Sequence, residues 1–545
     1  MPGTILENLS GKKLSILIIV FIACQIACFL LGIIAPSPAK TQTILSTVCV
    51  DLNPSESQRN LDRWFVRNSC KNIELTDDNE TFGLDANSLV FVMEMPLYNL
   101  DYSRWQQNLV GILQVEMVYQ KEQKVLNPLI ELTVDSRLAY SDKTPDGGKT
   151  PWKYYSHAEE KRYMNCTFNN QYDTEKHGYP YDCTMVPLFE LGALYHDYYL
   201  LNLRLPYNYT TKKNIGLGKV EDLYVHTIYM NGGFTKIWLS LKTVFFPILL
   251  AIMIWFWQRV HKLNRTPVLL EYMLISLGGT LAFLNLPIEY LSLIFEMPYM
   301  LLLSDIRQGV FYAMLLSFWL IFAGEHMLIQ EQGEKNTIKR YWKHLTTIIV
   351  ACMCLLIFDL CERGVQLVNP FYSIWVTPVG TNLALAFIIL AGISACLYFV
   401  FLCYMVWRVF KNISIKRSVL PSMSQARRLH YEGIIYRFNF LMLVTLICAS
   451  VTIVSFILSQ IDEGQSKWDD SVDLELSSVI HTGVYGMWNI YICAMLILYA
   501  PSHKQWPADP ICTEGEEVEF TRIPAESTSN EISALTSFSA KASID

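Results

Sequence analysis

The stretch LSILIIVFIACQIACFLLGIIA, residues 14–35, holds 22 residues without a charge. A hydrocarbon core about 30 Å thick needs about 20 helical residues, so this stretch is long enough to cross a membrane. Seven further apolar segments follow a mostly polar region. Together they predict an α-helical polytopic membrane protein with eight transmembrane helices, at approximately 14–35, 237–257, 267–288, 308–329, 345–361, 382–407, 438–460 and 478–500.

Lysine and arginine are distributed unevenly between the loops, and basic loops face the cytosol. Residues 1–13 and the loops after the second, fourth and sixth segments are basic, most strongly at 408–437, while the alternate loops lean acidic. We therefore expect both termini in the cytosol. The domains would be 36–236 as a lumenal or extracellular domain, 237–500 as a receptor-like seven-helix bundle, and 501–545 as a disordered cytosolic tail.

A cleaved signal peptide is the alternative interpretation of residues 14–35, because small residues follow at 35–39. The apolar stretch exceeds the usual signal core of about 7–15 residues. Pro36 and Pro38 also disfavour cleavage. We expect an uncleaved anchor, whereas cleavage would leave a seven-span protein with its N-terminus outside.

Residues 36–236 show the pattern of β-strands rather than of helices. Turn-forming clusters such as 145–148 separate several runs that partly alternate apolar and polar residues. About seven strands fit, which predicts a lumenal antiparallel β-sandwich. Residues 222–230 lead directly into the second apolar segment, so no flexible linker is expected. The other clear runs are 89–95, 129–135, 186–191 and 199–205.

Cysteines and sequons agree with an outside location of this domain. Residues 36–236 contain four cysteines, and in an oxidising compartment this even number predicts two disulfides. Three pairings are possible, and proximity in sequence favours Cys49–Cys70 and Cys166–Cys183; the spacing does not suit zinc. Glycosylation is expected at the sequons of Asn79, Asn165 and Asn208. Chance matches on the cytosolic side are Asn8, Asn264 and Asn412.

No group of residues typical of an enzyme or a nucleic-acid-binding protein stands out. Glu325-His326 is not followed by the second histidine of HExxH, and neither GxSxG nor a P-loop occurs. His481 in the last segment is more often a helix-packing residue than a ligand. The sequence therefore predicts no catalytic residues, no metal or other cofactor, and no nucleic-acid partner.

Ionisable residues concentrate at the outer ends of two segments, within 304–309 and 358–364. Snorkelling or a local ion pair explains such charges structurally, whereas their cost near a membrane favours a functional role. The functional interpretation is a polar mouth to a cavity between spans four to eight, formed by Asp305, Arg307, Glu362 and Arg363. Candidate walls of that cavity are Phe311, Phe318, Phe358, Tyr485 and Trp488. Core packing explains any single aromatic equally well, and an interfacial aromatic belt explains many others.

Several strings closely resemble the Wntless family, also called Evenness interrupted or Sprinter, in an insect or other invertebrate member. The resemblance runs from Thr4 to Lys504, and several strings are longer than ten residues. The vertebrate lysine-rich retrieval ending is absent, because this chain ends KASID. The strings are NGGFTK (231–236), DIRQGVFYAMLLSFW (305–319), CERGVQLVNPFYSIW (361–375), RRLHYEG (427–433), YGMWNIY (485–491) and YAPSHK (499–504).

The resemblance implies a cargo receptor that carries lipid-modified Wnt from the endoplasmic reticulum and Golgi to the cell surface, synaptic membranes included. Residues of approximately 100–232 would contact the protein part of Wnt. Retromer would recycle the carrier from endosomes, and membrane lipids would surround it. A YEG-hydrophobic motif in the family implies that Tyr431 and Ile434 form an endocytic signal for a clathrin adaptor.

Two other classes of protein remain open from the residues alone. A seven-helix signalling receptor would couple to its ligand through the basic loop 408–437. A transporter would need charges near the bilayer midplane, and Lys242 and Glu271 lie too near the ends of their segments to be persuasive. The sequence shows no internal repeat, which also argues against a transporter.

Overall fold

The chain consists of a β-domain followed by a helical bundle in the computed structural model. Three predicted features lie outside the described residues: the disulfide cysteine Cys70, the glycosylation site Asn79 and the tail beyond residue 502. The structure describes residues 4–54, 62–67, 86–97, 100–119, 129–143, 151–167, 179–263, 265–328, 341–376, 378–417, 425–466 and 475–502.

The β-domain is built from two antiparallel sheets. The strand orders are β1-β10-β4-β8 and β2-β3-β9-β5-β6-β7. Leu113 and Val225 of the first sheet and Leu201 of the second are fully buried in one shared core, so the predicted antiparallel β-domain is confirmed. The strands are β1 Ala39–Leu45, β2 Thr47–Val50, β3 Leu89–Met95, β4 Leu109–Val118, β5 Leu129–Ser141, β6 Lys153–Thr167, β7 Asp182–Cys183, β8 Val186–Leu191, β9 Tyr198–Arg204 and β10 Lys219–Met230.

The described residues form ten strands, more than the sequence pattern suggested. Strand β6 is largely polar. Its outward side chains, such as Lys161 and Tyr163, are exposed, whereas Met164 and Cys166 are buried. Strand β7 has only two residues, which pair with Cys166 and Thr167. Hydropathy alone misses such strands, since backbone pairing rather than apolar burial holds them.

Eight helices among the described residues are long and apolar enough to cross a membrane, which confirms the predicted polytopic class. A short helix α1 precedes them, and α5 follows α4 closely within the third span. The helices are α1 Ile5–Asn8, α2 Gly11–Ile34, α3 Gly232–His261, α4 Leu269–Asn285, α5 Glu289–Ser292, α6 Met300–Leu328, α7 Trp342–Gln366, α8 Pro378–Arg417, α9 Gln425–Ser466 and α10 Glu475–Leu498.

Several helices extend beyond the predicted apolar segments, most clearly α8 and α9. Helical hydrogen bonds continue through polar residues that lie outside a hydrocarbon core, so hydropathy underestimates the length of a helix. At the start of α3, the Asn231 side chain accepts a hydrogen bond from the Gly233 N–H at 3.1 Å. Because Asn231 alone separates β10 from α3, the β-domain joins the bundle without a linker.

Helix α2 packs closely along α10 through small residues. A Cβ atom at Gly483 would overlap the Phe29 ring, and one at Gly486 would overlap Cys28. Gln25 Nε2 also donates to the Gly483 carbonyl at 2.9 Å. Small residues allow this close approach of two membrane helices. In this structure α2 is therefore part of the bundle.

Candidate functional site

Three charged side chains meet inside the bundle near the β-domain. Lys242 Nζ donates to Glu289 Oε1 at 2.6 Å, and the Arg307 guanidinium donates to the same oxygen. The exposed fractions of the Lys242, Glu289 and Arg307 side chains are 3 %, 8 % and 0 %. Unpaired charges are costly in such a setting. The cluster therefore ties α3, α5 and α6 together through one shared carboxylate.

Arg307 does not lie at a cavity mouth, so the role predicted for it is wrong. Its Nη1 donates to the Leu286 carbonyl at 2.7 Å, and Glu289 neutralises it inside the bundle. Lys242 and Glu289 were not predicted as its partners, because each lies near an end of an apolar segment, where charges are ordinary. The sequence offered one signal for this pairing. Lys242 and Glu289 carry opposite charges near the ends of the second and third apolar segments that face the same side of the membrane.

A buried polar network continues from this cluster between α4 and α10. Tyr485 OH donates to Asn285 Oδ1 at 2.7 Å, and Asn285 Nδ2 donates to Asn489 Oδ1. Trp488 Nε1 donates to Thr452 Oγ1 of α9 at 3.0 Å. The polar atoms of these buried side chains thus bond to other helices, which holds α4, α9 and α10 in fixed register.

Four of the five predicted wall residues belong to the packed core instead of an open cavity. Phe311 and Phe318 of α6 are fully buried, and Tyr485 and Trp488 are almost fully buried. The Phe311 and Trp488 ring centroids lie 5.2 Å apart. For these four residues the prediction of a cavity wall is corrected, because neighbouring helices already fill the space around their rings.

Phe358 occupies a different environment on α7. It is half-buried, and its ring centroid lies 6.3 Å from that of Phe387 on α8. Only 6 % of the residues in the apolar windows of α7 and α8 are buried, against 56 % in α6 and 67 % in α10. Among the five predicted wall residues, Phe358 alone borders this little-buried side of the bundle.

The other three mouth residues come together at the junction with the β-domain. Arg363 forms an ion pair with Glu190 of β8, and its Nε lies 3.9 Å from Asp305 Oδ2. Glu362 lines a small cavity at the same junction. The cavity walls also include Val110, Ile112, Pro187, Glu190 and Gln366. The charges predicted at the outer helix ends therefore face the β-domain rather than open water.

Cysteine pairing in the β-domain joins the end of β6 to β7. Cys166 and Cys183 form a disulfide, and the two residues are also direct partners across the strands. Cys49 is disulfide-bonded as well. The Cys166–Cys183 bond attaches the otherwise minimal strand β7 to the six-stranded sheet.

Replacing both Cys166 and Cys183 with serine is expected to lower the stability of the β-domain by about 2–5 kcal/mol, because the cross-link no longer restricts the unfolded chain. Thermal unfolding of the purified full-length protein measures the loss. Cys396, an exposed free cysteine of α8, gives the matched control when replaced by serine. An unchanged melting temperature in the double variant would contradict the prediction.

Two of the predicted glycosylation sites are on the described surface. Asn165 and Asn208 are both exposed. Asn208 Oδ1 accepts hydrogen bonds from the Thr210 N–H at 2.9 Å and from the Thr210 hydroxyl at 2.6 Å. The amide nitrogen of Asn208 is thus presented on a surface turn next to the hydroxyl of its own sequon.

The predicted endocytic signal lies in a helix. Tyr431 and Ile434 fall within α9, and Ile434 is buried. This part of the described structure is therefore helical, whereas clathrin adaptors bind extended peptides. Arg437, one turn further, donates to the backbone carbonyls of Leu6 at 2.9 Å and Glu7 at 3.3 Å. Helix α1 thus contacts α9 one turn after Ile434.

No group of three or more His, Cys, Asp or Glu side chains within the described ranges could hold a metal ion. The structure instead defines a class of protein, a multi-pass membrane protein in which an antiparallel β-domain is docked on a helical bundle. Comparison with known sequences identifies the family. Residues 47–230 match the family described as Wntless, GOLD domain, and residues 231–503 match Wntless-like, transmembrane domain.

Curated relatives match over the full length of both chains. "Protein wntless" of Drosophila ananassae is 55 % identical over 572 residues, and that of Drosophila sechellia is 54 % identical over 572 residues. The protein of the same name from Drosophila virilis is 53 % identical over 567 residues. The chain therefore belongs to the Wntless family, as its motifs predicted.

Proposed function

We propose that this chain is a cargo receptor that carries lipid-modified Wnt through the secretory pathway to the cell surface. Full-length similarity to the Wntless family is the observation that carries the proposal. The architecture suits such cargo, because a β-domain can hold the protein part while the adjoining membrane bundle shields the acyl chain. Each buried methylene contributes about 0.8 kcal/mol, so an acylated cargo without a shield would stay in the membrane or aggregate.

The acyl chain is proposed to lie on the side of the bundle bounded by α7 and α8. In the apolar windows of these helices 6 % of the residues are buried, and the half-buried Phe358 and Phe387 lie there with 6.3 Å between their ring centroids. Loosely packed apolar surface can accept a hydrocarbon chain without displacing a close-packed core. The fully packed face between α6 and α10 offers no comparable space.

The direct test of the proposed function is secretion of an acylated Wnt from cells that lack this protein. Secretion should be lost in these cells and restored by re-expression of the full chain. A soluble secreted protein without acylation serves as the cargo control and should leave both cell lines equally. Normal secretion of acylated Wnt without the protein would refute the proposal.

The β-domain is proposed to face the lumen and then the cell exterior, with both termini in the cytosol. The distribution of lysine and arginine along the sequence supports this orientation, because basic loops face the cytosol. We expect glycans at Asn208 and Asn165, so Asn208→Gln should increase the gel mobility of the protein, and glycosidase treatment should abolish the difference. Asn412→Gln, on the proposed cytosolic side, is the control. Equal mobility of Asn208→Gln and wild type would contradict glycosylation at Asn208.

Recycling from the cell surface is proposed to use a clathrin adaptor that reads Tyr431 and Ile434, followed by retromer. Adaptors of this kind bind extended peptides by adding them to a sheet edge. Because the signal is helical and Ile434 is buried here, the first turns of α9 must unwind before an adaptor can bind. The hydrogen bonds from Arg437 to α1 oppose this unwinding.

Tyr431→Ala is expected to trap the protein at the plasma membrane and to leave Wnt binding intact. Arg437→Ala is expected to have the opposite effect on uptake, because α9 loses its hydrogen bonds to α1. Antibody uptake by living cells measures both rates. Tyr436→Ala, an exposed tyrosine of the same helix, is the matched control. An uptake rate of Tyr431→Ala equal to wild type would remove this signal from the proposal.

A further inference from the structure

The connection between α7 and α8 is anchored in the β-domain. Phe371, in the middle of this connection, is 1 % exposed and belongs to the core of the β-domain. Its ring stands edge-on to Phe189 of β8, with 6.3 Å between the centroids. An aromatic side chain from the membrane bundle is therefore part of the hydrophobic core of the outer domain.

Backbone hydrogen bonds fix the same connection. The buried guanidinium of Arg162 in β6 donates to the carbonyl of Phe371 and, at 2.6 Å, to that of Pro187. Burial lowers the pKa of Arg162 to about 10, so the side chain stays charged at neutral pH. The Glu190 N–H donates to the Pro370 carbonyl at 2.8 Å. The connection thus covers β8, the edge strand of its sheet.

Side chains extend this anchor to the end of α7. Asn369 Nδ2 donates to Glu160 at 3.0 Å, and its Oδ1 accepts from the Phe371 N–H at 3.0 Å. Arg363 is ion-paired with Glu190, and Gln366 Nε2 lies 3.3 Å from the second carboxylate oxygen of Glu190. The segment 363–372 therefore contacts the β-domain through apolar, ionic and backbone interactions together. We call it the anchor segment.

Within the bundle, α7 packs against α6 and α8, and α8 packs against α6 and α9. Few residues of α7 and α8 are buried, and a hydrogen bond from Tyr398 OH to the Leu316 carbonyl, at 2.7 Å, links α8 to α6. His344 and Phe401 stack near the end of these helices that is distant from the β-domain, at 5.3 Å between centroids. At the near end, the connection between the two helices is held in the β-domain through Phe371 and Arg162.

From this arrangement we infer that the anchor segment couples the two parts of the proposed binding site, with Phe371 as its principal positioning residue. Binding of the protein part of Wnt to the β-domain displaces or rigidifies the anchor segment and so repositions α7 and α8. These helices border the proposed acyl site, so each half of the cargo strengthens binding of the other half. Such coupling is reciprocal by thermodynamic linkage. The inference rests on the proposed function.

The test uses the full-length protein in lipid nanodiscs and two separate probes. One probe is a Wnt whose acylated serine is replaced, and the other is a short palmitoleoyl-serine peptide. In wild type, a saturating amount of the peptide should tighten binding of the acyl-free Wnt by about tenfold, and the reverse experiment should give the same factor. In Phe371→Ala this factor should fall to about one, whatever the affinity of each probe alone.

Phe256→Ala is the matched control, because it removes an equally buried phenyl ring of α3, outside the anchor segment. It should keep the wild-type factor. Asn369→Ala is a milder variant, in case Phe371→Ala does not fold, and should also lose the coupling. Two results would overturn the coupling but not the carrier function. Either both probes bind wild type without strengthening each other, or both anchor variants keep the full coupling. Failure of both probes to bind wild type would overturn the carrier function and the coupling with it.

Discussion

Removing the acyl chain from a Wnt cargo is expected to weaken its binding to this protein by about 100-fold or more. At about 0.8 kcal/mol for each methylene, a chain of about 16 carbons represents on the order of 10 kcal/mol. A third of this gross value, about 3 kcal/mol, already corresponds to about a 100-fold difference in affinity. The affinities of acylated and acyl-free Wnt for the full chain in nanodiscs measure the effect, and equal affinities would exclude the bundle as the lipid site.

Two variants of the bundle separate a lipid-contacting residue from a core residue. Phe358→Ala should weaken binding of acylated Wnt and leave binding of acyl-free Wnt unchanged, because Phe358 borders the proposed acyl site. Phe318→Ala should instead lower the stability of the whole bundle by about 3–5 kcal/mol, since it leaves a cavity in a close-packed core. Indistinguishable effects of the two variants would contradict the assignment of Phe358.

Glu289→Ala is expected to destabilise the bundle by about 3–5 kcal/mol, because it leaves Lys242 and Arg307 buried without a counter-charge. Both cations are almost fully inaccessible to water. They cannot regain their hydration without opening the contacts among α3, α5 and α6. Thermal unfolding of the purified protein in detergent measures the loss.

Two controls test whether the missing charge is the cause. Glu131→Ala breaks an ion pair with Lys161 in which both side chains are exposed, and it should leave the melting temperature nearly unchanged. The triple variant Lys242→Leu, Glu289→Leu and Arg307→Met removes all three charges and should recover most of the stability. If Glu289→Ala and Glu131→Ala melt alike, the cluster does not hold the bundle together.

The candidate site was only partly predictable from the sequence. Asp305, Glu362 and Arg363 come together as their positions at helix ends suggested, but they face the β-domain. Arg307 lies only two residues after Asp305 and was grouped with it, although two residues are about half a helical turn and place the two side chains on different faces of α6. The side chain of Arg307 instead points into the bundle, which the sequence could show only through the distant partner Glu289. Arg162 and Glu190 gave no signal, because polar residues are ordinary in a half-exposed strand.

The sequence by itself determined the eight spans, the β-domain between the first two and the family to which the chain belongs. These features depend on local properties: apolar length against membrane thickness, alternation along a strand, and contiguous motifs. The helix bounds differ from the predicted segments by several residues, because hydrogen bonding continues where hydropathy ends.

Only the tertiary structure decided which residues pack together across long separations in the chain. Arg162 binds the Phe371 carbonyl across 209 residues, and Lys242 pairs with Glu289 across 47. The tertiary structure also showed that Phe371 belongs to the β-domain core. The sequence alone would place this residue in an interfacial aromatic belt. The physical reason is that burial depends on how two separately predictable domains meet, and no pattern within either domain encodes that contact.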